Sequence, residues 1–148
     1  MNHGRLAMTV GVLMATFATA LWAAAEEPWA APARSAKKAN PVAVDDQSLA
    51  AGKNLYAKHC LSCHGATGVG NGPAAKDLEK NPGDLSKPIM WDQTDGAVFW
   101  KITTGKKPMP SFETLTTETE RWQIVNYMRT LAPKPASSQP ASTPSPTK

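Results

Sequence analysis

Two thiols and an imidazole stand together at Cys60-Leu-Ser-Cys63-His64, the densest concentration of reactive side chains in the 148-residue chain. Cysteines two residues apart make a poor structural staple, because a disulfide gains most by closing a long loop. Three other uses of the spacing compete. A redox dithiol of this form sits in a βαβ context, which the surrounding sequence does not supply. A zinc site needs further ligands, and past the N-terminal segment only His59 and His64 accompany the two thiols. The third use is covalent attachment of haem c, for which C-x-x-C-H is the attachment pattern. Two intervening residues place the thiols about one turn apart, where they reach two vinyl groups of one porphyrin. The next residue then projects its imidazole under the ring centre as a neutral nitrogen ligand for iron. No second C-x-x-C-H occurs, so one haem is expected, anchored by Cys60, Cys63 and His64.

The opposite face of the iron needs its own partner. Beyond the N-terminal segment the thioethers are Met90, Met109 and Met128. Met128 falls on the apolar face of a predicted helix, where core packing accounts for it. Met90 lies in Lys87-Pro-Ile-Met-Trp91, a loop expected to wrap the cofactor. Met109 lies in Gly105-Lys-Lys-Pro-Met-Pro110, where prolines on both sides stiffen the loop. His59 adjoins Cys60 and is not expected to reach the opposite face, which argues against bis-histidine ligation. With histidine and methionine both bound, iron has no vacant position for a substrate, and electron transfer rather than catalysis is the expected work. Thioether ligation and burial also raise the reduction potential. A vacant sixth position would instead suit a gas sensor or a peroxidase.

Four helical pieces are predicted to hold these residues. Asp46 is placed to cap a helix over 47–58, with Leu49, Gly52, Leu55 and Tyr56 on one face. Pro73 suits a first helical position and opens a short helix over 74–79. Asp95 or Thr94 caps a third, with Val98, Phe99 and Ile102 inward and Gly105 at its end. The last starts near Thr117, carries Glu118 and Glu120 in its first turn, and ends with Arg129 in its last, as the helix dipole prefers. Its inward face is Trp122, Ile124, Val125, Tyr127, Met128 and Leu131, and Pro133 stops it. No segment alternates as a strand would, so the class is all-α with long loops. Gly65, Gly68, Gly70 and Gly72 follow the cysteine motif, but Gly72 precedes proline rather than lysine, which excludes a phosphate-binding loop.

The two ends carry different messages. A basic start, the apolar run from Leu6 to Trp22 and Ala23-Ala-Ala25 match a secretory signal, cut after Ala25. Export into a periplasmic, oxidising compartment follows; an uncleaved anchor over Leu6 to Ala25 is the competing reading, and the sole route to a membrane. Residues 26–45, with Pro28, Pro32, Pro41 and many alanines, read as a disordered linker, and 134–148 as a disordered Pro/Ser-rich tail. That leaves 46–133 for the domain. The chain's formal charge is +4, but 46–133 holds ten Lys and Arg against nine Asp and Glu. No basic stripe with interleaved aromatics is present, so nucleic acid is not an expected partner.

On these residues the chain resembles the class I cytochrome c family, and more closely its bacterial small monohaem members. Gly52 and Tyr56 stand where that family keeps a glycine and an aromatic ahead of the first cysteine, and Ile124 and Tyr127 match its last helix. The resemblance spans Gln47 to Leu131. It implies a class I cytochrome c-like fold: about four short helices wrapped round one covalently bound haem, with the N- and C-terminal helices crossing. It assigns the distal ligand to Met109, and gives Pro73 the task of offering its carbonyl to the second nitrogen of His64; Pro82 is the other candidate. It implies single-electron exchange with redox partners, an oxidase, reductase or dehydrogenase, either as a free carrier or as a subunit of a larger respiratory or dehydrogenase complex. Lys106 and Lys107 beside Met109 are then expected to steer an acidic partner.

Overall fold

A computed structural model describes residues 29–132. The elements run α1 (Ala33–Ala36), α2 (Asp46–His59), α3 (Leu61–His64), 3₁₀ turns at Ala75–Asp77 and Pro88–Asp92, α4 (Asp95–Thr104) and α5 (Glu118–Leu131). Among the described residues there is no strand, only one isolated bridge between Lys106 and Met109. The expected signal, the stop at Pro133 and the tail lie outside the described residues.

Local chemistry sets the helix ends. Asp45, one residue ahead of the expected cap, accepts the Ser48 backbone N–H at 2.7 Å, leaving Asp46 as the first helical residue. Thr94 caps α4 by accepting from the Ala97 N–H at 3.2 Å. The alternative cap, Asp95, instead holds Arg129 of α5 at 2.7 Å. Thr117 and Glu120 form a reciprocal capping box at the start of α5, with the Glu120 carboxylate 2.7 Å from the Thr117 N–H. The helix expected over 74–79 contracts to one 3₁₀ turn, because Leu78 takes an extended backbone and turns its side chain to the cavity described below.

The first and last predicted helices do cross. Gly52 of α2 lies against the Gln123 backbone of α5, and the Tyr56 and Tyr127 rings meet at 5.3 Å. Tyr56 donates its hydroxyl to the Gly65 carbonyl at 2.9 Å, which ties the crossing to the cysteine motif. Trp122, Ile124 and Val125 are fully buried, and Trp122 stacks on Phe99 at 4.0 Å. Each such side chain contributes about 1.5–3 kcal/mol by leaving water. Two polar residues join this core beyond the apolar pattern. Arg121 donates one nitrogen to the carbonyls of Phe112, Glu113 and Thr116, and Asn126 donates to Ser48 Oγ at 2.7 Å.

Residues 29–45 depart from the linker expectation. The segment is held on α4 and α5 mainly by polar contacts, with Val42 alone of its aliphatic side chains packing on the core, so hydrophobic periodicity does not reveal it. Thr94 donates to the Ala36 carbonyl at 2.6 Å, Lys38 pairs with Glu118 at 2.6 Å, and Asn40 donates to Asn126 at 2.7 Å.

Candidate functional site

The end of α2 and the single turn of α3 form one continuous bend around the motif. The His64 N–H donates to the Cys60 carbonyl at 2.9 Å, so the first thiol and the imidazole stand one turn apart. The glycine loop then folds back over this turn. Gly70, Gly72 and Ala74 donate their N–H groups to the carbonyls of His64, Cys63 and Ser62, satisfying the acceptors that the end of a helix leaves open. A methyl group at Gly72 would lie 2.3 Å from the Ser62 carbonyl oxygen, so only glycine permits this approach.

The methionine loop is pinned independently. Lys106 and Met109 exchange backbone hydrogen bonds at 3.1 and 2.9 Å, and the Phe112 N–H donates to the Ile102 carbonyl of α4. Ser111 donates its hydroxyl to the Thr103 carbonyl at 2.7 Å.

Between these parts lies a cavity of about 370 Å³. Cys60, Cys63, His64 and Met109 all line it, with Leu78, Pro82, Pro108, Pro110 and Phe112 among its apolar walls. Met90 and Met128 do not line it; both are buried in the core, where Met90 receives a weak contact from Gln93. His59 also borders the cavity, with its ring edge-on to Phe112 at 5.8 Å.

Burial sets the protonation of the site. It pushes the Cys60 thiol up to about 12, with Cys63 adding to the effect. A thiol held protonated does not suit dithiol exchange, which proceeds through a thiolate. Burial likewise holds the His64 imidazole neutral, against a weaker opposing influence from the Gly83 backbone. The cysteines are not bonded to each other, and among the described residues no group of three or more His, Cys, Asp or Glu side chains could hold a metal ion by itself.

Nδ1 of His64 is buried with no hydrogen-bond partner. Pro73, expected to serve it, is exposed and does not line the cavity, whereas Pro82 does and Gly83 follows it. The sequence alternatives were two prolines after a glycine-rich stretch, and the loop's fold over α3 turns Pro73 outward.

These residues fit a haem. Two thiols, a neutral imidazole and a thioether share one largely apolar cavity of a size usual for ligand sites. Among the described residues no carboxylate lines it, whereas Lys80 and Lys106 do, a charge balance suited to a cofactor carrying two propionates. Sequence reasoning missed Trp29, which also borders the cavity. A lone tryptophan in an Ala/Pro-rich stretch was the one signal available for it.

An all-α fold that closes around such a cavity, with its first and last long helices crossed behind the cysteine motif, is a c-type cytochrome domain. The chain belongs to the family described as cytochrome c oxidase, cbb3-type, subunit III, whose model matches residues 47–128. The family implies haem c binding and electron transfer. Among solved structures, the chain is similar to one titled Kuenenia stuttgartiensis reducing HAO-like protein complex Kustc0457/Kustc0458. The identity is 29% and the TM-score 0.56, over 63% of this chain and 47% of that one. The present chain thus corresponds to about half of that neighbour's length. No curated protein matches it.

Proposed function

We propose that this protein is a monohaem electron carrier, in which Cys60 and Cys63 would attach the haem and His64 and Met109 would bind its iron. The single observation that carries this reading is the shared cavity, which admits Met109 and leaves Met90 and Met128 in the core. Attachment would need no oxidant, since each thiol would add across a vinyl double bond, sulfur to the inner carbon and hydrogen to the outer. When bound, the haem supplies a one-electron iron couple. The chain's own part is to hold that couple still and dry. His64 is kept neutral by burial, and Met109 is fixed by its backbone exchange with Lys106. With His64 and Met109 both binding the iron there would be no place for a substrate, which supports transfer rather than catalysis; Met109 at the cavity likewise disfavours a five-coordinate sensor or peroxidase.

A second reading concerns partners. The structural neighbour is titled as part of a protein complex, and the family is described by an oxidase subunit, which favours a dedicated subunit as the alternative to a free carrier. In either case the partners are redox proteins. Export to the periplasm follows from the N-terminal signal read in the sequence; among the described residues no helix is long and apolar enough to cross a membrane.

The decisive experiment is denaturation and acid extraction of protein made in a host with the c-type maturation system. Haem should remain with the wild-type chain, and Cys60→Ala with Cys63→Ala should release it. Free extraction from the wild type would refute covalent attachment.

A further inference from the structure

Trp29 borders the same cavity as Cys60, Cys63 and Met109, yet it lies ahead of the family-matched span of 47–128. Its place there is no accident of a pendant end, because the segment behind it is fastened at several points. The α1 turn lies against α4 at Gly96, where a methyl group would come within 2.3 Å of the Ser35 carbonyl oxygen and 2.6 Å of that of Lys38. The Lys38 ammonium reaches Glu118 and stands 5.0 Å from the centre of the Phe99 ring. Asn126, almost wholly buried in α5, donates to the carbonyls of Val42 and Ala43 and accepts from Asn40.

At the near end of this strap, the Lys101 ammonium stands 5.3 Å from the centre of the Trp29 ring. Lys101 lies one turn before Gly105, where the loop bearing Met109 begins. Trp29 is half-buried, as a side chain at the rim of a cavity should be. A tryptophan so placed is a broad apolar plate with a single polar edge, suited to covering a flat aromatic cofactor while facing water.

We propose that Trp29 is a positioning residue of the haem site: carried by the strap 29–45, it covers the cavity rim beside the Met109 loop and limits access of water and small ligands to the iron. This rests on the haem reading given above. An external ligand must displace both the methionine and the cover, so its apparent affinity falls by the fraction of time the site is open. Exclusion of water also favours the less charged reduced state, which raises the reduction potential.

The test uses the full-length holoprotein, with imidazole as the external ligand and the reduction potential as a second reading. Trp29→Ala should bind imidazole about tenfold more tightly, the change expected if the cover is in place about nine-tenths of the time. Its potential should fall, and Trp29→Phe should recover most of both effects. Gly96→Ala should act like Trp29→Ala from a distance, because it unseats the strap while placing a better helix former in α4. It also supplies the same readings should Trp29→Ala fail to accumulate. Wild-type imidazole affinity and potential in the Trp29→Ala or Gly96→Ala protein would overturn the proposal. A wild-type protein lacking the methionine–iron absorption band would overturn the ligand reading first, and the proposal with it, so the two failures are distinguishable.

Discussion

Gly52 and Gln123 touch through their backbones: a Cβ on Gly52 would lie 2.1 Å from the Gln123 carbonyl oxygen. The contact lets α2 and α5 cross closely enough for the Tyr56 and Tyr127 rings to meet, and Tyr56 in turn donates to the Gly65 carbonyl beyond the motif. The crossing therefore positions the haem-binding turn without contributing any chemistry to it.

Gly52→Ala tests that relationship. Alanine should favour the isolated helix by about 0.5–1 kcal/mol. Overpacking costs about 1–3 kcal/mol and sometimes more, and a clash with backbone rather than a flexible side chain belongs at the upper end. Net destabilisation of about 2 kcal/mol is expected, read from the denaturant midpoint of the holoprotein. A more stable variant would show that the helices are free to separate.

Met109→Ala and Met90→Ala should part company. The first should abolish the weak far-red band of the oxidised protein and lower the potential. The second removes a core side chain only 5% exposed, and should cost about 2–5 kcal/mol of stability while leaving band and potential nearly unchanged. The reverse pattern in visible spectra would transfer the ligand role to Met90.

Acid should loosen the start of α5. The Glu120 carboxyl is held below its ordinary value of 4.5, first by the Thr117 backbone N–H and then by the Thr117 hydroxyl. A carboxyl with a lower pKa folded than unfolded gives its full stabilisation above the ordinary value, and loses it as pH falls through the folded value. Glu118 follows the same course through its bond to Lys38. Melting temperatures measured across pH should thus decline below about 4.5, and Glu120→Gln, which keeps the capping geometry without the charge, should flatten part of that decline. An identical slope in the variant would remove Glu120 from the account.

Lys106 and Lys107 are exposed beside Met109. If they steer an acidic partner, added salt should slow electron exchange with a membrane fraction of the native host, since screening shortens their reach. Lys106→Glu with Lys107→Glu should slow it further and flatten the salt dependence, with little change in potential. An unchanged rate would leave docking to the apolar rim.

Much of this was legible because local chemistry decides it. The acidic residues after Thr117 mark the start of α5, and its inward face follows from its 3.6-residue period. Where two neighbours offered the same chemistry, sequence could not choose between them: Asp45 caps α2 rather than Asp46, and Pro82 rather than Pro73 borders the cavity. The strap was illegible for a different reason. Its anchors are single polar groups meeting partners such as Glu118 and Asn126 far along the chain, and no period or composition encodes such pairs.

Gly96 has a meaning for descent as well as for packing. Its Cα is roofed by the Ser35 and Lys38 carbonyls, both contributed by residues ahead of the family-matched span. A relative without this segment would lack these carbonyls above the position and would be free to carry alanine or serine there. Presence of the strap and absence of a side chain at 96 should therefore travel together across a lineage, so that one glycine in α4 would report whether a relative carries the segment.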